Sequence, residues 1–331
     1  MKPRVLAGLS GWNHLSWRGA FYPESLPKRL ELAYAALKVP TLEIGGTFYR
    51  LHSPRQFAIW SAATPEGFVF SLKAHRAVTH LCRLSGAGLS VARFFGSGPL
   101  CLGPKLGAII WQLPLSLTFD PVRIRNFFEL LPKDSAQAER MARHYNCLRP
   151  GAAPPPGLPS AIRHAIEVRH KSYACPAFVA QLRHYKMAVV NADTAGKWPR
   201  IEDPCADFMV LRLKNGAGTG KSGYFPPGLD YWARRMQLWA CGGEPPDALR
   251  ASPEPAPAAA GRDIYCYFDG DATAHAPFDA MHLNARLGLD DGAKQEPAAL
   301  RRVGAGWEGL GLLSSGHAGA WNKGPEGCIL D

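Results

Sequence analysis

The chain has 331 residues, of which 47% are hydrophobic, 20% charged and 10% aromatic; this composition excludes intrinsic disorder and fibrous repeats and supplies a large core. No apolar run approaches a membrane span, and the opening MKPRVLAGLSGWNH lacks the apolar region and cleavage site of a secretory signal, so a cytoplasmic protein with no membrane partner is expected. A formal charge of +11 favours an anionic small molecule or nucleic acid as partner, and eight cysteines without a CxxC pair read as reduced thiols.

In chain order the β-rich runs are VLAGLSGW (5 to 12), TLEIGGTFY (41 to 49), FVFSLKA (68 to 74), LGAIIWQL (106 to 113), HAIEVRH (164 to 170), MAVVNAD (187 to 193), DFMVLRLK (207 to 214) and DIYCYFDG (263 to 270). Helical patterns lie between them at 26 to 37, 53 to 63, 121 to 131, 175 to 185 and 229 to 240, with Pro27, Pro54, Pro121 and Pro176 near their starts. Eight strands joined by crossover helices predict an α/β fold, a TIM-type (β/α)8 barrel, with an open doubly wound sheet as the competitor.

Residues 133 to 160 add a helix-like stretch and a PPP loop. The sixth crossover, TAGKWPRIEDPCA (194 to 206), is too proline-rich for a full helix, so the barrel is expected to be irregular there. The Pro, Ala and Gly of 242 to 262 predict a mobile loop. Residues 1–290 are expected to form the barrel domain and 291–331 a loosely structured tail.

Alternation along barrel strands separates a helix-facing set from an inward one. Leu42, Ile44, Phe70, Leu72, Ile166, Val168, Val190, Leu211, Leu213, Cys266 and Phe268 form the apolar, helix-facing set. The inward set then holds Glu43, Lys73, Gln112, Glu167, Arg169, Asp193, Arg212 and Asp269, each in the C-terminal half of its strand. Buried charges are costly unless paired, and the C-terminal end is the catalytic end of such barrels, so this concentration reads as a site.

Glu43, Lys73, Glu167 and Asp193 are the catalytic candidates. The two glutamates suit general acid/base work, against the plainer reading that each neutralises Lys73 or Arg169. Lys73 is either a nucleophile or a cationic clamp. Arg169 and Arg212 suit a bidentate anion clamp, with structural pairing as the alternative. Gln112 and Asp269 join them as ligand-binding candidates, and the loops add Trp12, Tyr49, Arg50, His80 and His275, which can stack on rings or line a lid. With Lys214 counted, four acidic groups oppose four basic ones. No HxH or His-carboxylate spacing is present, so no metal or cofactor is expected. GAGTG (216 to 220) matches a phosphate loop in composition only.

Several of these segments form a set. SGW (10 to 12), Trp17-Arg18-Gly19 with FYP (21 to 23), Glu43-Ile44 with TFYR (47 to 50), KAHRAVTH (73 to 80), QLP (112 to 114), EVRHKS (167 to 172), DTAGKWP (193 to 199) and YFDGDATAHAPFDA (267 to 280) occur in that order over residues 5 to 288. The set resembles the YecE-like domain of unknown function family, DUF 72. The resemblance implies a TIM-type barrel with these motifs around its C-terminal mouth, and it implies no known reaction. Gly45-Gly46 stand where the family typically has Asn-Ser, and Gly270 where it has Asn. The expected function is an enzyme acting on a phosphorylated or sugar-like anion, with a non-catalytic nucleic-acid or polyanion-binding module as the alternative.

Overall fold

The computed structural model describes residues 3–151, 161–214, 219–220, 223–270, 274–289, 302–303 and 306–307. Eight strands fall on the eight β-rich runs: β1 (Val5–Ser10), β2 (Thr41–Ile44), β3 (Val69–Lys73), β4 (Leu106–Gln112), β5 (Arg163–Glu167), β6 (Ala188–Asp193), β7 (Phe208–Leu213) and β8 (Asp263–Phe268). They pair in parallel in chain order, and β8 returns to β1 to close the barrel. The open-sheet alternative is thereby excluded.

Helices α1 (Glu31–Lys38), α2 (Pro54–Ala62), α3 (Gly88–Gly96), α4 (Pro121–Leu130), α5 (Ser135–His144), α6 (Pro176–Tyr185), α7 (Pro226–Ala240) and α8 (His275–Arg286) surround the sheet. Local chemistry sets several starts: Ser53 caps α2, Asp120 caps α4 and Asp134 caps α5 by accepting backbone N–H groups of the first turn. Proline at the first turn of α2, α4, α6 and α7 removes a donor that no helix would use there. Helix α5 is the extra stretch read at 133 to 160, while 152–160, with the PPP loop, lie outside the described residues. Between β6 and β7 there is no helix, as the proline content predicts.

The 242–262 segment departs from the expected mobile loop. It is held by two buried carboxylates of the helix-less crossover: Glu202 accepts from Leu249 N at 2.7 Å, and Asp203 accepts from Ala251 N at 2.6 Å and Ser252 N at 3.2 Å. Glu202 also takes Arg200 at 2.6 Å and Arg235 at 2.5 Å. Composition signals a loop; it does not reveal such anchors. Of the tail expected over 291–331, only the antiparallel pair Arg302–Val303 and Gly306–Trp307 is described.

Inside the barrel, Val69, Ala108, Ile110, Ala165, Ala188, Val190, Phe208, Val210, Tyr265 and Tyr267 form a core distinct from the one beneath the helices. Gly8 lets β1 close over β2: a Cβ there would lie 1.8 Å from the Thr41 carbonyl oxygen. The N-terminal end is sealed by Arg163, which donates to Asp263 and Tyr265 at 2.6 Å each. Higher up, Tyr267 Oη donates to Ser71 Oγ at 2.6 Å, so this layer's polar groups are satisfied among themselves. The charged side chains above it stand on a closed floor.

One strand reverses the expected parity. Val190 pairs with Val210 and both belong to the interior core, so the helix-facing assignment of Val190 is wrong. By the same register Ala192 lies beside inward Arg212, and Asp193 beside helix-facing Leu213. The strand AVVNAD opens with three apolar residues and carries its polar Asn191 and Asp193 on the outer face, so the rule that charge points inward misorients it.

Candidate functional site

Arg212, buried near the end of β7, organises the C-terminal mouth. Its Nη2 donates to Glu43 Oε2 from β2, and its Nη1 donates to Asp269 Oδ2 at 3.1 Å and Ser10 Oγ at 3.4 Å. Its Nε lies 3.1 Å from Glu167 Oε2 of β5, close enough for an ion pair though misaligned for a hydrogen bond. Glu167 Oε1 accepts from Gln112 Nε2 of β4 at 2.8 Å. Burial pushes the Glu167 carboxyl up, but Arg212, Lys73, Arg169 and the Gln112 hydrogen bond outweigh it and hold the group below the usual carboxylate range. Asp269 follows the same logic, burial opposed by Arg212 and by Lys214, whose Nζ lies 3.5 Å away.

In this geometry Arg212 takes the structural pairing that was the alternative to the clamp. A guanidinium whose three nitrogens all face carboxylates presents no open edge in this arrangement, so Arg212 is engaged as a structural hub that joins three segments of the barrel.

Lys73, at the end of β3, is placed differently. Its carbonyl oxygen accepts from Thr47 Oγ1 at 2.6 Å, which fixes the backbone, and its Nζ lies 4.5 Å from the centre of the Phe48 ring. No ion pair joins Nζ to a described residue. Burial, then Arg212, lowers its pKa against the opposing pull of Glu167 and Glu43.

Arg169, just beyond β5, approaches Glu167 Oε1 at 3.7 Å and stacks on the Trp198 ring at 4.1 Å. Trp198 comes from the helix-less crossover; it stands in the DTAGKWP segment but was not singled out as a site residue, because one aromatic in an irregular loop carries no period. His80 packs edge-on against Phe48 at 5.0 Å. Burial, with Arg169 and Lys73 nearby, lowers its pKa to about 4, so its imidazole is neutral at pH 7.

Other candidates lie apart from this cluster. Asp193 is on the outer face of β6, where its carboxylate accepts from Tyr224 Oη at 3.0 Å and burial raises its pKa; it is withdrawn from the inward set. His275 opens α8 beside Gly223 and Asp279. Trp12 packs edge-on against Trp60 at 5.7 Å and accepts the Tyr22 hydroxyl on its carbonyl, so it shapes the rim. Tyr49 and Arg50 are exposed on the loop after β2.

Without Asp193, and among the described residues, four cations (Lys73, Arg169, Arg212, Lys214) face three carboxylates (Glu43, Glu167, Asp269), leaving one positive charge where balance was expected. Among the described residues no group of three His, Cys, Asp or Glu side chains can hold a metal ion. Of the 216 to 220 segment, 216–218 lie outside the described residues. Gly45 has open space where a side chain would project, and Gly46 and Gly270 meet only one atom each, at 3.5 and 4.0 Å.

A family model described as protein of unknown function DUF72 matches residues 6–301. The chain belongs to the DUF72 family. Among solved structures, a DUF72 family protein from Thermotoga maritima superposes with a TM-score of 0.61 at 20% identity, covering 86% of this chain and 99% of that one. A DUF72 family protein from Enterococcus faecalis gives 0.57 at 15% identity, covering 87% and 99%. At these identities the likeness establishes the shared barrel alone. Comparison with curated proteins gives no match.

Proposed function

We propose that this DUF72 barrel is an enzyme that binds a phosphorylated or sugar-like anion at its C-terminal mouth and works on it by acid/base chemistry. The observation that carries the reading is Lys73, an amine that no ion pair joins to a described residue, beside a carboxylate-saturated arginine, in a mouth whose described side chains carry one excess positive charge. An anionic group seated against Lys73 and Arg169 neutralises that excess. Because burial and Arg212 lower its proton affinity, the protonated Lys73 that meets the anion gives up its proton more readily than a free lysine does, which suits it to act as the acid. Glu43, Glu167 and Asp269 position Arg212 and tune Lys73; they are supporting groups in this reading. A cytoplasmic location fits the absence of disulfides among the described cysteines, and no helix among the described residues is long and apolar enough to cross a membrane.

Calorimetric titration with inorganic phosphate and with a sugar phosphate tests it. Lys73→Met is expected to weaken binding at least about tenfold with the melting temperature little changed, since removing one charge-assisted contact costs about 1.5–3 kcal/mol. Lys73→Arg is expected to keep the affinity while losing turnover of any substrate found. Wild-type phosphate affinity in Lys73→Met overturns the reading.

A further inference from the structure

Among the described residues, large apolar side chains left in water are unevenly distributed. The four most exposed among the described residues are Leu15 at 76%, Tyr49 at 69%, Leu81 at 68% and Leu115 at 57%. Each sits on a different loop at the C-terminal mouth: after β1, after β2, after β3 and after β4. Those strands are consecutive in the barrel, so the four loops line one continuous half of the rim. Folding did not leave them out for want of a core, because the same loops bury Trp17, Phe48, Val78 and Leu117. Exposed apolar groups collected around one functional opening mark a contact surface.

Charge identifies what the surface meets. Residues 45–53, 74–87, 113–119 and 168–175 contain no Asp or Glu and carry Arg50, Arg76 and Lys171, all exposed, while the loop after β1 holds one exposed carboxylate, Glu24, together with Arg18, Lys28 and Arg29. The chain as a whole is +11. A second copy of the same basic face would be repelled. Nucleic acid meets the charge but leaves three leucines unused, since leucine has no π face on which a base can stack. A protein partner needs a complementary shape, whereas here single side chains project from separate loops around a polar centre. A fluid, anionic, amphipathic surface accepts isolated anchors while its phosphates meet the cations, and tyrosine suits the boundary layer.

We infer that the mouth face docks peripherally on an anionic lipid bilayer, with Leu15, Leu81 and Leu115 entering the acyl boundary and Tyr49 lying at headgroup level. This is a surface contact, not a span, so it needs no apolar helix of membrane length. Docking brings the mouth against phosphorylated headgroups; that these serve as the anion at Lys73 rests on the proposed function, while docking itself does not.

The experiment is co-sedimentation of the full-length protein with vesicles of phosphatidylcholine alone and of phosphatidylcholine mixed with phosphatidylglycerol. Binding is expected to the mixed vesicles only, and to weaken as salt is raised. Leu81→Asp and Leu15→Asp, both at solvent-exposed positions, are expected to bind at least about tenfold more weakly, while Leu238→Asp, exposed on α7, binds as wild type. Absence of binding to mixed vesicles, or rim variants that bind like wild type, overturns the proposal. So does retention of a single-stranded oligonucleotide in preference to vesicles, which assigns the face to nucleic acid. Loss of vesicle binding with Lys73-dependent phosphate binding intact removes only the docking; the reverse removes only the proposed enzyme site.

Discussion

Replacing Arg212 by methionine separates a structural hub from a ligand clamp. The substitution leaves Glu43 and Glu167 buried without their main counter-charge and Asp269 with Lys214 as its remaining ion-pair partner among the described residues. Removing one partner of a buried ion pair typically costs about 3–5 kcal/mol, and Lys73 and Arg169 compensate only part of it, so about 4 kcal/mol is expected. For a domain of this size each kcal/mol moves the melting temperature by about 2 °C, which gives a fall of about 8 °C. Arg212→Lys should fall about half as far, because a single ammonium cannot span carboxylates brought in from β2, β5 and the end of β8.

The pH dependence supplies a second signature. In the wild type the Glu167 carboxyl titrates below its ordinary range, so its contribution is present above the unfolded pKa and is lost as pH falls through the folded one. Without Arg212 the largest charge opposing burial is gone and the folded pKa rises, so the deficit of the variant is full at neutral pH and shrinks as acid protonates the carboxylate. Melts followed by circular dichroism from pH 8 to about 5, with phosphate calorimetry on the folded protein, check both. Near-unchanged melting together with a tenfold loss of phosphate affinity would refute the hub and restore Arg212 as a clamp.

His164 is buried, accepts the Trp111 indole N–H on Nδ1 at 3.1 Å and donates from Nε2 to the Pro132 carbonyl at 2.8 Å, and burial lowers its pKa to about 4. Its contribution is present above the ordinary histidine pKa and is lost as pH falls towards 4, about 3 kcal/mol in all; urea melts of His164→Gln should show a flatter acid limb, and an identical limb removes this assignment. Glu202→Gln, which weakens the contacts to Arg200, Arg235 and Leu249 N, should destabilise by about 3 kcal/mol and open 242–262 to limited proteolysis, so an unchanged digestion pattern counts against the anchoring role. Phosphate binding should survive dialysis against EDTA; if it disappears and a divalent ion restores it, the mouth carboxylates are ligands.

How much of this was legible in the sequence depended on what each strand carries. Strand positions could be read because each β-rich run is bounded by helix starts or turn residues, and inward parity held where a charge ends an otherwise apolar strand, as at Glu43, Lys73, Glu167 and Arg212. It failed at β6, where Ala188, Val189 and Val190 fit either face and only pairing of Val190 with Val210 decides. Partner number was hidden as well. That Arg212 meets Glu43, Glu167 and Asp269 together follows from barrel closure, which gathers three distant segments around β7, and spacing along the chain contains no trace of it. These two unreadable facts act on the same quantity. Moving Asp193 to the outer face takes a negative charge from the mouth, and saturating Arg212 removes the strongest candidate for meeting a ligand. Among the described residues the remaining positive charge therefore falls on Lys73 and Arg169, whose nitrogens are not enclosed by carboxylates, which is why the proposed function seats its anion there.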